Sequence, residues 1–437
     1  MINRFAALTL FVFVSACGGE PTRDKEPTAP VEEEINIEEV AERYVKLSLG
    51  IGEYDKNFVD AYHGPQEWAD DVKTAKPSID DLETEAIALI DAVSIFMVDG
   101  ADLREAMLNK QLNAALTRLR MAKGNVFSFN EETVLLYDAE APVISFETFD
   151  KVLEDIEQLV PGEGPLHERV DAFRASYAIP EDKLQAVFEL AIAECRKRTL
   201  AHFDLPEGER FQLEFVKDKP WSGYNWYQGD FNSLIQVNTD FPIIIDRAID
   251  LGCHEGYPGH HTWNVLLEQN ILIGKGWIEY SIYPLFSPMS LISEGSANFG
   301  IELAFPGDEK LSFERDILFP LAGLDPARAA NLDQLNKATR DLSHARNQIA
   351  RQYLDGSLER EQAIILSMKY GMRSRERAEQ GMDFIETYRA YVINYNLGKD
   401  LVKAHIENQV NAGIDRWDAF RALLVTPTSA SDLYQAP

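Results

Sequence analysis

The chain has only three cysteines, Cys17, Cys195 and Cys253, which rules out a disulfide framework as the basis of its fold. Cys195 falls within an amphipathic pattern and Cys253 within an apolar run. Both read as buried thiols; a disulfide between them is open to the sequence but unsupported by it. Basic charge is also scarce: 42 lysines and arginines face 72 acids, a net charge of −30. That counts against nucleic acid as a partner and against an electrostatic grip on anionic lipid. It could mildly favour cationic substrates, but a solvated acidic surface is the better reading. The apolar run from Phe5 to Val14 is too short to span a bilayer. There is no internal repeat.

That short run is informative in another way. Arg4 precedes it, and it ends in Val14-Ser-Ala-Cys17, with small residues at a cleavage point. The ending resembles a bacterial lipobox, which implies a signal peptide over residues 1–16 and a lipid anchor on Cys17. Gly18 follows rather than aspartate, which resembles the sorting pattern for the outer membrane, with the protein facing the periplasm. Residues 17–35 are charged and proline-containing, and read as the lipidated cysteine and a disordered tether.

From Asn36 the apolar spacing becomes helical. Val40, Tyr44, Val45 and Leu47 share a face, and similar spacing predicts helices over 80–98, 102–122, 147–159, 165–177 and 181–203. Residues 204–241 break the pattern with glycine, proline and aromatics. Phe231–Asn238 reads as a short β-type run, placed to serve as an edge strand for an extended peptide. Asp240-Phe241-Pro242 reads as the start of a helix running to His254. Helices then follow over 327–354, 359–371, 376–410 and 415–424. The expected fold is mainly α, with a small β element before the central motif. Residues 36–203 form an N-terminal helical half and residues 204–437 a catalytic half.

The central motif is His254-Glu255-Gly-Tyr-Pro258-Gly259-His260-His261, which holds three of the chain's eight histidines. In an H-E-x-x-H helix, two histidines one turn apart bind zinc and the glutamate takes a proton from the metal's water. Here the spacing is wrong for that. On a straight helix, residues six apart differ by about 240°, and residues seven apart align but sit roughly 10 Å apart along the axis. Pro258 removes a helix hydrogen bond and Gly259 permits unusual backbone angles, so the helix should bulge or break between the histidines. That would bring His260 to the metal and leave His261 beside it or on the substrate side. Glu294, in Ser293-Glu294-Gly295 at an expected helix start, is the candidate third ligand, with Asn298 one turn on. Asp250, one turn before His254, would orient an imidazole. The plainer alternative is a capped helix end with surface histidines.

The motif resembles the H-E-x-x-P-G-H-H signature of the domain-of-unknown-function-885 family. Asp60-Ala-Tyr-His-Gly-Pro65, Trp221-Ser-Gly-Tyr-Asn-Trp226, Asn238-Thr-Asp-Phe-Pro242 and Tyr395-Asn-Leu-Gly398 are similar to other segments of that family. Where the family often has Glu-Gly-Trp-Ala, this chain has Ser296. The resemblance implies a helical, zincin-like metallopeptidase with a deep cleft.

The expected chemistry follows from these residues. His254, His260 and Glu294 would hold Zn²⁺ and Glu255 would serve as general base. Tyr395 is first in line to stabilise an oxyanion, with Tyr257 and His261 behind it. The substrate would be a peptide or a small amide. A ligand-binding lipoprotein without catalysis, or a zinc hydrolase of a non-peptide amide, would fit the same residues.

Overall fold

Short polar side chains set several of the helix starts. Asn36 accepts the Glu39 N–H at 2.9 Å, and Ser78 and Ser128 close reciprocal capping boxes with Asp81 and Glu131. The computed structural model describes residues 36–98 and 102–434. The signal peptide expected at 1–16, Cys17 and the tether of 17–35 lie outside the described residues. From Asn36 onward the chain forms one compact unit. No helix among the described residues is long and apolar enough to cross a membrane.

The fold is mainly helical, as the apolar spacing predicts. Ile37–Tyr54 buries Val40, Tyr44, Val45 and Leu47. The next helices are Ile79–Phe96, Leu103–Ala122, Phe129–Tyr137, Phe146–Leu159, Leu166–Ala175 and Leu184–Leu200. The main apolar core joins Val45 and Leu112 from these helices to Phe286, Leu291, Tyr391 and Phe420 from the second half of the chain. The expected halves, 36–203 and 204–437, share that core. Residue 204 therefore marks a change of local pattern rather than a seam between bodies.

The region that breaks the helical pattern is a sheet. β1 (Val59–Tyr62) pairs antiparallel with β5 (Ile282–Pro284). β2 (Arg210–Val216), β3 (Gly223–Gly229) and β4 (Asn232–Asn238) form a second sheet in the order β2-β4-β3. β4 runs parallel to β2 and antiparallel to β3. The β-type run expected at 231–238 is thus a central strand. Both of its edges are already paired, so it cannot accept a peptide. β2 and β3 are the edge strands instead, and the first residues of β3 line the cleft. Asp240 does not cap a helix either: its carboxylate accepts the backbone N–H groups of Asp218 and Lys219, and the helix begins later, at Arg247.

Two long helices near the C-terminal end cross at a pair of glycines. A Cβ on Gly295, in Pro288–Ala304, would lie 2.4 Å from the Gly398 carbonyl in Ile393–Asn411. A Cβ on Gly398 would lie 2.6 Å from the Leu291 carbonyl oxygen. Only glycine lets these backbones approach so closely. Glu294 therefore sits in the interior of its helix, six residues after Pro288, not at a helix start.

Candidate metal centre

The histidine segment is not a continuous helix. Arg247–Leu251 is α-helical, and the backbone then widens to π geometry over Gly252–Gly256. Such widenings are frequent at functional sites. Tyr257 is extended, the Tyr257–Pro258 peptide is cis, and a new helix starts at His260. The Gly259 N–H donates to the Cys253 carbonyl at 3.0 Å. A Cβ at Gly259 would fall 1.9 Å from the His254 carbonyl oxygen, so this closure needs glycine.

The break brings the two imidazoles together. His254 Nε2 lies 3.1 Å from His260 Nε2. Glu294 Oε2 lies 3.2 Å from the first and 3.7 Å from the second. Tetrahedral zinc bonds of about 2.0–2.1 Å place ligand atoms about 3.3 Å apart, and the three separations straddle that value. Glu294 Oε2 is also buried without a hydrogen-bond partner, while Oε1 accepts the Tyr391 hydroxyl at 2.7 Å. A buried carboxylate oxygen left bare beside two imidazole nitrogens is what a cation would satisfy. The residues therefore fit a metal ion.

Glu255 is also near: its carboxylate and the two imidazoles offer ligand atoms within 4.8 Å of one another. Its surroundings differ from those of Glu294. It packs against β3, where a Cβ on Gly223 would meet Glu255 Oε1 at 2.7 Å, and Asn225 Nδ2 donates to its backbone carbonyl at 2.7 Å.

Burial pushes the Glu255 carboxyl up, and the two histidines partly offset this. Burial also opposes charge on Glu294, but there the imidazoles prevail and hold the carboxyl below its ordinary range. The same burial therefore ends in opposite net shifts at the two carboxyls.

Ser293 Oγ pairs with His260 Nδ1 at 3.0 Å, leaving Nε2 for a metal. The expected partners do other work. Asp250 pairs with Lys310 at 2.5 Å and Arg247 at 3.6 Å, not with an imidazole. Asn298 donates to the Tyr395 backbone carbonyl at 3.1 Å, so it tethers two helices rather than Glu294.

His261 points away from the cleft. It is fully buried, with Nδ1 at 2.8 Å from Ser233 Oγ and Nε2 at 3.0 Å from Glu209 Oε2. Glu209 also accepts the Tyr257 hydroxyl at 2.6 Å and bonds Arg196. These partners outweigh burial and hold the Glu209 carboxyl at about 2. Neither His261 nor Tyr257 is free for a catalytic role, because the hydroxyl of one and both nitrogens of the other are committed. They pin the histidine segment from behind.

Tyr395 does line the cleft, and burial raises its hydroxyl well above the ordinary range, so it stays a proton donor. Cys195 and Cys253 are joined by a disulfide with Cα atoms 5.5 Å apart. The reading of buried free thiols is therefore corrected: Leu184–Leu200 packs directly on the π turn, close enough for the bridge.

Sequence reasoning missed Asp60 and Tyr224 as a pair. The Tyr224 hydroxyl donates to the Asp60 carboxylate beside His260. Burial lifts Asp60 to about 6, against the Tyr224 bond and His260, while Glu294 and Glu255 push it further up. Glu209 was missed as well, and no local pattern marks it.

The site opens on a cleft of about 1530 Å³, larger than the ~300–1,000 Å³ of small-molecule pockets.

No family model matches the chain, and no curated protein matches it either. Solved structures do. A candidate lipoprotein from Colwellia psychrerythraea aligns with a TM-score of 0.52 and 14% identity, over 88% of this chain and 74% of that one. A candidate lipoprotein of unknown function from Shewanella oneidensis gives 0.48 and 13%, over 84% and 75%. An M32 carboxypeptidase from Deinococcus radiodurans R1 gives 0.36 and 12%, over 89% and 88%. At such identities the likeness is one of fold, and of these three only the first exceeds a TM-score of one half.

Proposed function

We propose that the protein is a zinc-dependent hydrolase, most simply a metallopeptidase of the cell envelope. The reading rests on one observation: His254 Nε2, His260 Nε2 and Glu294 Oε2 converge at zinc-ligand spacing, and the carboxylate oxygen has no hydrogen-bond partner. The resemblance of the His254–His261 segment to a zincin-type signature supports it.

His254, His260 and Glu294 would hold the metal. When bound, zinc supplies Lewis-acid polarisation of the scissile carbonyl and a water made acidic near neutral pH. Glu255, whose carboxyl burial pushes up, would accept a proton from the attacking water and deliver it to the leaving amine. Tyr395 donates a hydrogen bond to the oxygen that gains charge. The free edge of β3, with Gly223 against Glu255, can pair with an extended chain crossing the cleft.

Lipid anchoring at Cys17, in the outer membrane facing the periplasm, completes the reading. The Cys195–Cys253 disulfide is in keeping with an oxidising envelope compartment.

The test is Glu255→Gln, which should keep zinc and lose peptide hydrolysis by about 10²–10⁴-fold. Zinc-loaded protein with no hydroxamate-sensitive turnover on a broad peptide library would contradict catalysis and favour a binding lipoprotein. Turnover confined to non-peptide amides would move the substrate class and keep the mechanism.

A further inference from the structure

The chain as a whole is strongly acidic, yet part of its cleft is cationic. Arg174, Arg346, Arg373 and Arg377 all line the cavity that holds the metal centre. They come from the end of Leu166–Ala175, the start of Ala345–Leu354, the turn after Gly371, and Arg375–Tyr388. None of the four forms an ion pair among the described residues. Elsewhere arginines do pair: Arg104 with Glu38 and Glu279, Arg389 with Glu132, Arg375 with Glu361.

What the four touch is mostly neutral. Arg346 lies 4.5 Å over the Phe384 ring and Arg377 4.5 Å over Phe241. Arg377 donates to the Pro242 carbonyl at 3.2 Å, and Arg174 to Thr339 Oγ1 at 2.9 Å. Arg373 reaches only the Gly371 carbonyl, at 3.5 Å. The residue before it, Met372, takes a left-handed φ of 49°, an uncommon angle for a side chain of this size and one the surrounding structure must hold.

Acids are few here. Asp171 acts on Arg174, Arg373 and Arg377, and Asp246 on Arg174. Arg346 has no acid acting on it. Burial, then repulsion from Arg346, Arg174 and Arg377, pushes the Arg373 guanidinium down to about 10. It stays charged at neutral pH, so the cluster holds crowded, under-neutralised cations in a partly desolvated place.

The cluster begins one aromatic layer from the metal ligands. The Phe384 ring under Arg346 is 6.1 Å from the Tyr395 ring and 6.5 Å from the Tyr391 ring, and the Tyr391 hydroxyl bonds Glu294. A substrate held at His254 and His260 could therefore reach the arginines within the same cleft.

We propose that the cleft selects a carboxylate-bearing peptide or amide, whose carboxylates sit on Arg346, Arg373, Arg377 and Arg174 while the bond to be cleaved lies at the metal centre. The inference rests on the hydrolase reading for the second half of that statement only. Arginine binds carboxylates through two parallel hydrogen bonds. The surface charge of −30 repels such ligands at long range, so the local field inside the cleft must supply the attraction. The carboxylates can belong to acidic side chains or to a chain's C-terminus.

The experiment is calorimetric titration of the full zinc-loaded chain carrying Glu255→Gln, so that ligands survive. Four probes are used: N-acetyl-Glu-Glu-Glu and N-acetyl-Gln-Gln-Gln, each as free acid and as C-terminal amide. At least one carboxylate-bearing probe should bind 10-fold or more tighter than N-acetyl-Gln-Gln-Gln-amide. The Glu amide arm reads side-chain carboxylates, and the Gln acid arm reads the C-terminus. The preference should collapse in Arg346→Gln/Arg373→Gln, whose Tm should hold or rise because like charges have been removed. Equal binding of all four probes, or a preference that survives the double substitution, overturns the proposal. If the variant does not fold, salt decides: a preference unchanged between about 50 and 500 mM salt also overturns it. Carboxylate preference without hydrolysis by the parent protein would sink the hydrolase reading alone. Hydrolysis without the preference would sink this inference alone.

Discussion

In one part of the cleft, Glu294, Glu255 and Asp60 surround two imidazoles, and Glu294 has an oxygen with no hydrogen-bond partner. In another part, four arginines face two aspartates and mostly neutral groups. Each region carries buried charge of one sign that its own neighbours do not cancel. Leaving such groups unsatisfied costs stability, and proteins tolerate that cost where a ligand removes it. On the readings proposed above, a cation would complete the first region and an anion the second. The net charge of −30 describes neither. Arg174, Arg346, Arg373 and Arg377 line one cleft only once the chain has folded.

The comparison can be broken from the metal side. Reducing Cys195–Cys253 reopens a 58-residue loop. In the chain-entropy model that costs about 4 kcal/mol. Denaturant midpoints with and without dithiothreitol measure it. Zinc retention should fall with the midpoint, because Cys253 adjoins His254, while carboxylate binding in the folded fraction should persist. Gly259→Ala acts more locally. Its Cβ cannot occupy a point 1.9 Å from the His254 oxygen, so the turn must open. We expect a loss of about 3 kcal/mol and loss of metal, read by thermal denaturation and metal analysis. An alanine variant that binds zinc like the parent would contradict the account of the break.

These experiments bear on what the sequence makes legible. The helices were readable because residues such as Val40, Tyr44 and Leu47 bury one face of a regular repeat. The break between His254 and His260 was readable because helix geometry forbids their meeting otherwise and Pro258-Gly259 lie between them. β2 was readable but missed: Phe211, Leu213 and Phe215 alternate along it, and the glycine and proline around them masked the signal. The aim of His261 was not readable, because it depends on Ser233 and Glu209, 28 and 52 residues away. Gly295 and Gly398 carried no local hint that they were a crossing point. The arginine cluster likewise joins positions spread from 174 to 377.

A third region sharpens the contrast through its pH dependence. Lys310 sits 2.5 Å from Asp250, which also pairs with Arg247, and 3.5 Å from the buried Glu314. Asp250 is held below its ordinary range, whereas burial lifts Glu314 from 4.5 to about 8, against Lys310 and with Asp246 and Asp250. Because the folded value is raised, the folded state keeps a proton that the unfolded chain releases. Stability from this group is full below about pH 4.5 and is lost as pH rises toward 8. The slope should approach ~1.4 kcal/mol per pH unit within that window. Glu314→Gln should flatten it, as urea titrations at pH 5 to 8 would show. An unchanged slope would mean that the lysine neutralises both acids.

The central claim is that His254, His260 and Glu294 form a metal site across a broken helix while His261 stands behind it. Metal analysis of purified protein equilibrated with zinc and then dialysed tests this most directly. About one zinc per chain is expected in the parent and in Glu255→Gln, with near-complete loss in His260→Ala. A parent without bound zinc, or a His260→Ala protein that keeps it, would contradict the account.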